Sequence, residues 1–454
     1  MSAVKTQYVC SECSASHAKW AGKCSGCGTW NSLSEARAET EKGEGKNRFT
    51  GLTRSAPPRK LSAIESADVA RMVSGISEFD RAFGGGLVEG EVVLIGGDPG
   101  IGKSTLLLQV MESLSRQMPV LYVTGEESVA QISLRANRLG LNGDEVLVMA
   151  EINLEVILAE MEKNGSRMVV IDSLNTMFSE ELSSAPGSVA QMRECAVKLT
   201  RYAKATGTSI VLVGHMTKED SIGGPKVVEH VADAVAILAG ETHSPYRILR
   251  CSKNRFGPVG ELGVFHMQER GMVGVTNPSA IFLAGHEKPV PGTCVMATME
   301  GTRPLLVEIQ ALVDDGGPSP RRLSLGLERD RLAMLLAVMN KHGGVKTSDQ
   351  DVFVNAVGGV SVKEPGADIA VLLAIQSSLL GRAMPHGVLA FGEIGLAGEV
   401  RPAAKGQERL REAAKLGFSV AIVPKANAPK KAIEGMTVHG VDRIEDALAL
   451  ARDL

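Results

Sequence analysis

The stretch 91-EVVLIGGDPGIGKSTLLLQVMESLSRQ-117 constrains this 454-residue chain more than any other. Its first part, 91-EVVLIGG-97, is a short β-branched apolar run and reads as a buried strand. Its last part, 103-KSTLLLQVMESLSRQ-117, has the spacing of a helix with one apolar face. Between them the pattern G-x-x-x-x-G-K-S runs from Gly97 through Asp98, Pro99, Gly100 and Ile101 to Gly102, Lys103 and Ser104, with Thr105 next. In that context the backbone N–H groups of the loop converge on an anion, and the helix N-terminus adds partial positive charge. Lys103 is placed to reach the β- and γ-phosphates of a nucleoside triphosphate, and Ser104 to ligate Mg²⁺.

A phosphate loop that supports hydrolysis needs a second carboxylate near the Mg²⁺ and a group that orients water. The run 168-MVVIDS-173 is apolar and then acidic, a buried strand ending in Asp172. The run 121-LYVTGEES-128 is a strand ending in Glu126 and Glu127, and the C-terminal end of a strand is the ligand side of an open sheet. Glu126 is favoured as the base, with Glu127 beside it; a carboxylate here also suits the start of a helix. The strand 209-SIVLVGH-215 ends in His215, followed by Thr217 and Lys218, which suits sensing of the γ-phosphate.

The same rhythm extends from about Leu61 to Val275. Strands are expected at Val92–Gly96, Val120–Thr124, Val146–Met149, Met168–Asp172 and Ser209–Gly214, with amphipathic helices between them. That alternation predicts an α/β fold with a mostly parallel sheet. After Asn277-Pro278 the pattern becomes α+β, with helices in 328-ERDRLAMLLAVMNK-341 and 367-ADIAVLLAIQSSLL-380 and a hairpin-like 388-VLAFGEIGLAGEVRP-402. Four segments are expected: a cysteine module at 1–34, a polar linker at 35–60, an ATPase-type domain at 61–276 and a further domain at 277–454.

Four of the seven cysteines form Cys10-x-x-Cys13 and Cys24-x-x-Cys27, separated by ten residues. Two such knuckles close a tetrahedral thiolate site for Zn²⁺ with no open position, hence structural. His17 is a spare ligand candidate. Lys19, Trp20, Lys23 and Trp30 mix basic and aromatic groups as single-strand binders do, although tryptophans filling a small core fit equally well. Residues 1–60 hold ten Lys/Arg against five Asp/Glu, so a net charge of −3 divides into about +5 there and about −8 elsewhere. No apolar run reaches the length of a membrane span and no signal peptide is evident, so the expected compartment is the cytoplasm.

The turn 253-KNRFG-257, comprising Lys253, Asn254, Arg255, Phe256 and Gly257, follows the strand-like 246-YRILRCS-252. Lys253 and Arg255 are two residues apart and able to point one way. They suit an arginine finger supplied to a neighbouring subunit, a contact to DNA phosphates, or a solvated basic turn. Two further segments, 178-FSEELSSAPGSVAQM-192 and 218-KEDSIGGPKVVEH-230, are polar enough to line a DNA channel or to be plain surface loops.

These pieces, in this order, make the chain resemble the RadA, or Sms, family of bacterial DNA repair and recombination proteins, relatives of RecA and of DnaB-type helicases. The matching features are the four-cysteine module, GDPGIGKST, YVTGEES, VVIDS, VGHMTKE and KNRFG, the last a signature of the family. The resemblance implies a RecA-like P-loop ATPase core using ATP with Mg²⁺ beside a Zn²⁺ module. It implies hexameric rings on single-stranded DNA, and branch migration of branched recombination intermediates together with RecA. The last third resembles the proteolytic domain of Lon, in 364-EPGADIAVLLAIQSSLLG-381 and 391-FGEIGLAGEVRPAAKGQERLREAAKLGF-418. The Lon nucleophile follows the proline of P-S-A-G, where this chain has Gly366, and its partner lysine falls at Gln407. Lys405 is near, but a lysine without a serine makes no dyad. The resemblance therefore implies a proteolytically inactive scaffold domain.

Overall fold

The computed structural model describes residues 70–143, 145–214, 226–240, 244–283, 288–317, 319–359, 362 and 364–454, with residues 6–10, 16–17, 20–25, 29–30 and 33–37 near the start. The chain divides into two compact units, residues 1–55 and 56–454.

The larger unit is built on a nine-stranded sheet. Its strands are β1 (Val92–Gly96), β2 (Val120–Thr124), β3 (Val146–Ala150), β4 (Met168–Asp172), β5 (Ser209–Val213), β6 (Ala234–Ala239), β7 (Tyr246–Asn254), β8 (Leu262–Gln268) and β9 (Gly271–Gly274). The spatial order is β9-β8-β7-β6-β1-β5-β4-β2-β3. The six strands from β6 to β3 run parallel, and β7, β8 and β9 continue the sheet antiparallel. Helices α1 (Lys103–Ser115), α2 (Val129–Leu139), α3 (Leu154–Lys163) and α4 (Val189–Thr206) cover it.

The period-2 alternation of strands sends Val93, Ile95, Tyr122 and Val170 into one core with Leu106, Leu107 and Met111 of α1. Val92, Leu94, Val169 and Ile171 enter the opposite core with Ile157 and Met161 of α3 and Leu199 of α4. Both faces of the central strands are buried, so they read as unbroken apolar runs. Each such side chain contributes about 1.5–3 kcal/mol.

Residues beyond 277 form a seven-stranded sheet. Its strands are β10 (Thr293–Glu300), β11 (Arg303–Asp315), β12 (Arg322–Leu325), β13 (Gln350–Ala356), β14 (Val388–Ala390), β15 (Val420–Pro424) and β16 (Thr437–Val441), in the order β12-β13-β11-β10-β14-β15-β16. Helices α5 (Arg329–Lys341), α6 (Asp368–Leu380), α7 (Gly406–Lys415) and α8 (Ile444–Asp453) accompany it. The expected hairpin over 388–402 is shorter than its sequence suggests. Val388–Ala390, fully apolar and buried, joins β10 and β15 as a parallel strand, and only Glu393–Ile394 and Val400–Arg401 pair as a hairpin. Leu262 and Val264 of β8 share one core with Phe282 and Met296, so apolar packing runs from the nine-stranded sheet into this region. Buried Glu78 reinforces the junction, accepting from the Val264 N–H at 2.9 Å and from Arg303 at 2.8 Å.

In the small unit, Thr6–Cys10 pairs antiparallel with Ser16–His17 and with Leu33–Arg37. The third strand runs past residue 34. Among the described residues, no helix is long and apolar enough to cross a membrane.

Candidate functional site

The phosphate loop follows directly from β1. Gly97 has φ 151°, and a Cβ there would stand 2.4 Å from the Leu238 carbonyl oxygen, so only glycine fits where the loop turns over β6. Asp98, Pro99 and Gly100 are exposed and Ile101 is buried. Gly102, also at positive φ, leads into α1, whose first residue is Lys103. The Lys103 side chain is buried, and its ammonium donates to the Gly97 and Asp98 carbonyls at 2.7 and 3.0 Å. Burial pulls its pKa down, against the charges of Asp172, Glu126 and Asp98. Ser104 and Thr105 follow at the start of α1, partly buried. From the far side of the loop, Arg247 donates to the Ile101 carbonyl at 3.2 Å.

Asp172 ends β4, level with Thr124 at the end of β2. This register brings the two acidic ends together. The Gly125 N–H donates to the Asp172 carbonyl at 2.8 Å, and a Cβ on Gly125 would lie 2.1 Å from the Thr176 hydroxyl, so the turn into Glu126 requires glycine. Glu126 is exposed and accepts a short hydrogen bond from the Ser173 hydroxyl. Glu127 instead pairs with Arg135 at 2.6 Å. Of the two, Glu126 is the one whose charge acts on Lys103.

Sequence reasoning passed over Tyr122. It sits fully buried in β2 and donates its hydroxyl to Asp172 at 2.5 Å, with Ser104 a further hydrogen-bonding neighbour. Burial first, and then the Asp172 charge, push its pKa well up, so it stays a donor. The available signal was a tyrosine in an otherwise apolar central strand, because a buried phenol must find a partner. Lys103, Ser104, Asp172, Glu126 and Tyr122 thus converge at one rim of the sheet.

Lys253 and Arg255 lie at the other rim. β7 runs antiparallel to β6, so Asn254 faces Ala234, which in turn lies opposite Val93, three residues before Gly96. The Arg255 N–H donates to the Asp233 carbonyl, and the Asp233 N–H to Val92, at the start of β1. The KNRFG turn is therefore at the end of the sheet away from its own phosphate loop. Lys253 donates to the carbonyls of Glu229 and Ala232 at 2.6 and 2.7 Å. Burial, and then the nearby Arg255, pull its pKa down. The Arg255 side chain is 51% exposed and reaches buried Asp233 at 3.2 Å. Asp233 also accepts from Lys204 at 2.5 Å and from the Val92 N–H at 3.0 Å. Asn254 accepts from the Phe256 N–H, Arg71 donates to the Phe256 carbonyl, and Lys204 lies 5.4 Å over the Phe256 ring. The turn up to Gly257 is ordered by side chains of its own domain.

The segment 178–192 is tied down rather than open. Buried Gln191 donates to the carbonyls of Ser179, Leu182 and Ser184, and Lys198 pairs with Glu155 and Glu181. His215, Thr217, Lys218 and most of 218–230 lie outside the described residues, as do Cys13, Cys27 and the Cys10 side chain. Cys10 ends a strand and Cys24 is buried.

At the position expected for a protease nucleophile, Gly366 lies 3.4–3.5 Å, by its absent Cβ, from the Glu364 carboxylate. That carboxylate binds Arg409 at 2.8 and 2.6 Å. Gln407 donates to the Asn427 carbonyl, and the Lys405 ammonium lies 3.4 Å from the Gly301 carbonyl.

Three family models match parts of the chain. An AAA domain model matches residues 57–221, a rubredoxin metal binding domain residues 8–35, and the Lon protease (S16) C-terminal proteolytic domain residues 334–452. The chain is 53% identical to the DNA repair protein RadA of Pseudomonas aeruginosa, over 99% of each chain. It is 51% identical to that of Escherichia coli, over all of this chain and 99% of the other. It is likewise 51% identical to that of Haemophilus influenzae, over the same shares.

Proposed function

The chain belongs to the RadA family of DNA repair proteins, and from that premise we propose that it is a DNA-dependent ATPase motor of homologous recombination. In this reading it binds single-stranded DNA as a hexameric ring and promotes branch migration together with RecA, in the cytoplasm. Lys103 and the loop N–H groups hold the β- and γ-phosphates of ATP. Ser104 and Asp172 offer the hard oxygen ligands that Mg²⁺ takes, with Tyr122 orienting Asp172. Mg²⁺ held by these residues would neutralise charge on the phosphate oxygens. Glu126 orients the attacking water, because it is exposed at the strand end beside Ser173 while Glu127 is engaged by Arg135.

The observation that carries the assembled reading is the rim position of Arg255. Charge develops on the γ-phosphoryl oxygens as the bond breaks, and Lys103 meets it from one side. Arg255 is half-exposed at the end of the sheet away from its own loop, so it completes a site only outside its own chain. Lys253, occupied by two carbonyls, positions the turn. A finger of this kind contributes on the order of a thousandfold or more. The test mixes Arg255→Ala with Lys103→Ala subunits, each inactive alone, under conditions where protomers exchange. Partial return of ATPase activity is expected; an Arg255→Ala protein that hydrolyses ATP normally by itself would overturn the finger role.

Two further expectations belong to this reading. Cys10, Cys13, Cys24 and Cys27 hold about one Zn²⁺ per chain, so Cys24→Ser releases the metal while the ATPase core stays folded, as metal analysis and circular dichroism would report. The Lon-like domain has no peptidase activity, since Gly366 and Gln407 supply neither nucleophile nor base. Casein incubated with the protein and ATP should stay intact.

A further inference from the structure

The chain contains two tryptophans, Trp20 and Trp30, and both belong to the small unit. Neither fills a core. Trp20 is 58% exposed and Trp30 69%. Lys23 and Trp30 face each other in an isolated antiparallel bridge, and the Cys24 N–H closes the segment between them by donating to the Thr29 carbonyl at 3.0 Å. The Lys23 ammonium lies 5.7 Å from the centre of the Trp30 ring. The two rings come together over Gly22: a point one Cβ above it is 3.6 Å from Trp30 Cζ3 and 4.0 Å from Trp20 Cη2. Cys24, next to Lys23 in the chain, is buried, so these exposed groups flank a residue anchored in the interior of the module.

Leaving two indoles in water forfeits the largest apolar burial any side chain offers, and a cluster of such groups on a small module marks a contact surface. Its electrostatics select the partner. An exposed ammonium sits against one ring, and residues 1–60 carry about +5, in a chain whose remainder is acidic. Flat π-faces with an adjacent cation match a base with its phosphate.

We propose that Trp20, Lys23 and Trp30 form a stacking platform for bases of single-stranded nucleic acid, Lys23 neutralising a phosphate. This rests on the proposed single-strand binding and assigns it a site on the cysteine module.

Both tryptophans being in the platform, the intrinsic fluorescence of the full-length protein reports it directly. Oligo-dT should quench that emission in parallel with the rise in anisotropy of a labelled oligo-dT. Trp20→Ala and Trp30→Ala should each weaken binding roughly fivefold to a hundredfold. Phenylalanine at either position keeps a π-face and should restore affinity to within a few-fold, which separates stacking from a folding defect; metal content is measured on every variant. Lys23→Ala should lower the slope of log affinity against log salt by about one. If anisotropy shows binding while the emission does not change, or the alanine variants bind as tightly as the parent, the platform is not a nucleic-acid site and a protein partner is its occupant. If the parent shows no anisotropy change at all, single-strand binding itself falls, and the platform with it.

Discussion

The phosphate loop and the Gly366 position of the Lon-like region are two glycine-marked turns in one compact unit, and they have opposite characters. At the first, Lys103 is buried and, among the described residues, hydrogen-bonds to two neutral carbonyls, so burial holds its charge at a cost. At the second, fully buried Arg409 binds Glu364 twice and donates to the carbonyls of Ala404 and Ala297. Burial alone would raise the Glu364 carboxyl, but these bonds hold it below the usual range. One cation bonds to neutral backbone carbonyls; the other is matched by a carboxylate of its own chain. A charge kept for chemistry is under-satisfied, and a charge kept for architecture is paired on every side.

The sharpest way to break this contrast is Lys103→Ala. Hydrolysis should fall by at least about a hundredfold, while thermal unfolding stays put, because removing a buried ammonium with a lowered pKa relieves a desolvation penalty. A large fall in melting temperature would make Lys103 structural. Arg409→Leu should do the reverse. It leaves the Glu364 carboxylate without its cation, which costs about 3–5 kcal/mol. Denaturant unfolding should detect that loss, while the nucleotide affinity of the still-folded fraction remains that of the parent.

The smallest effect sharpens the comparison inside the ATPase core. Burial pushes the Glu91 carboxyl up to about 7, opposed by the Val88 N–H bond and reinforced by the Asp233 charge. A carboxyl whose folded pKa exceeds its unfolded value favours folding when protonated. Its contribution is therefore full below about pH 4.5 and is lost as pH rises through about 7. Glu91→Gln keeps an acceptor for Val88 but cannot ionise. Above pH 7 it should be more stable than the parent, by up to about 3 kcal/mol. The difference should vanish toward pH 4.5 in unfolding curves taken across that range.

What the sequence determined by itself was whatever depends on neighbours along the chain. Apolar runs such as 92–96, 120–124 and 168–172 lie in strands at those bounds, because a strand buried on both faces declares itself by composition. The glycine loop was legible for a similar reason, since the spacing of Gly97, Gly102 and Lys103 is a local backbone requirement. Tertiary structure alone decided what depends on which strands become neighbours. Placing β2 beside β4 joined Tyr122 and Gly125 to Asp172, and separated Glu126 from Glu127 by giving the latter to Arg135. Running β7 antiparallel to β6 carried Arg255 to the rim away from its own phosphate loop, a fact no spacing contains. The exposure of Trp20 and Trp30 is of the same kind. Whether an indole fills a core or faces water depends on the volume that the folded chain leaves for it, and in a module this small that volume is set by strand pairing rather than by composition.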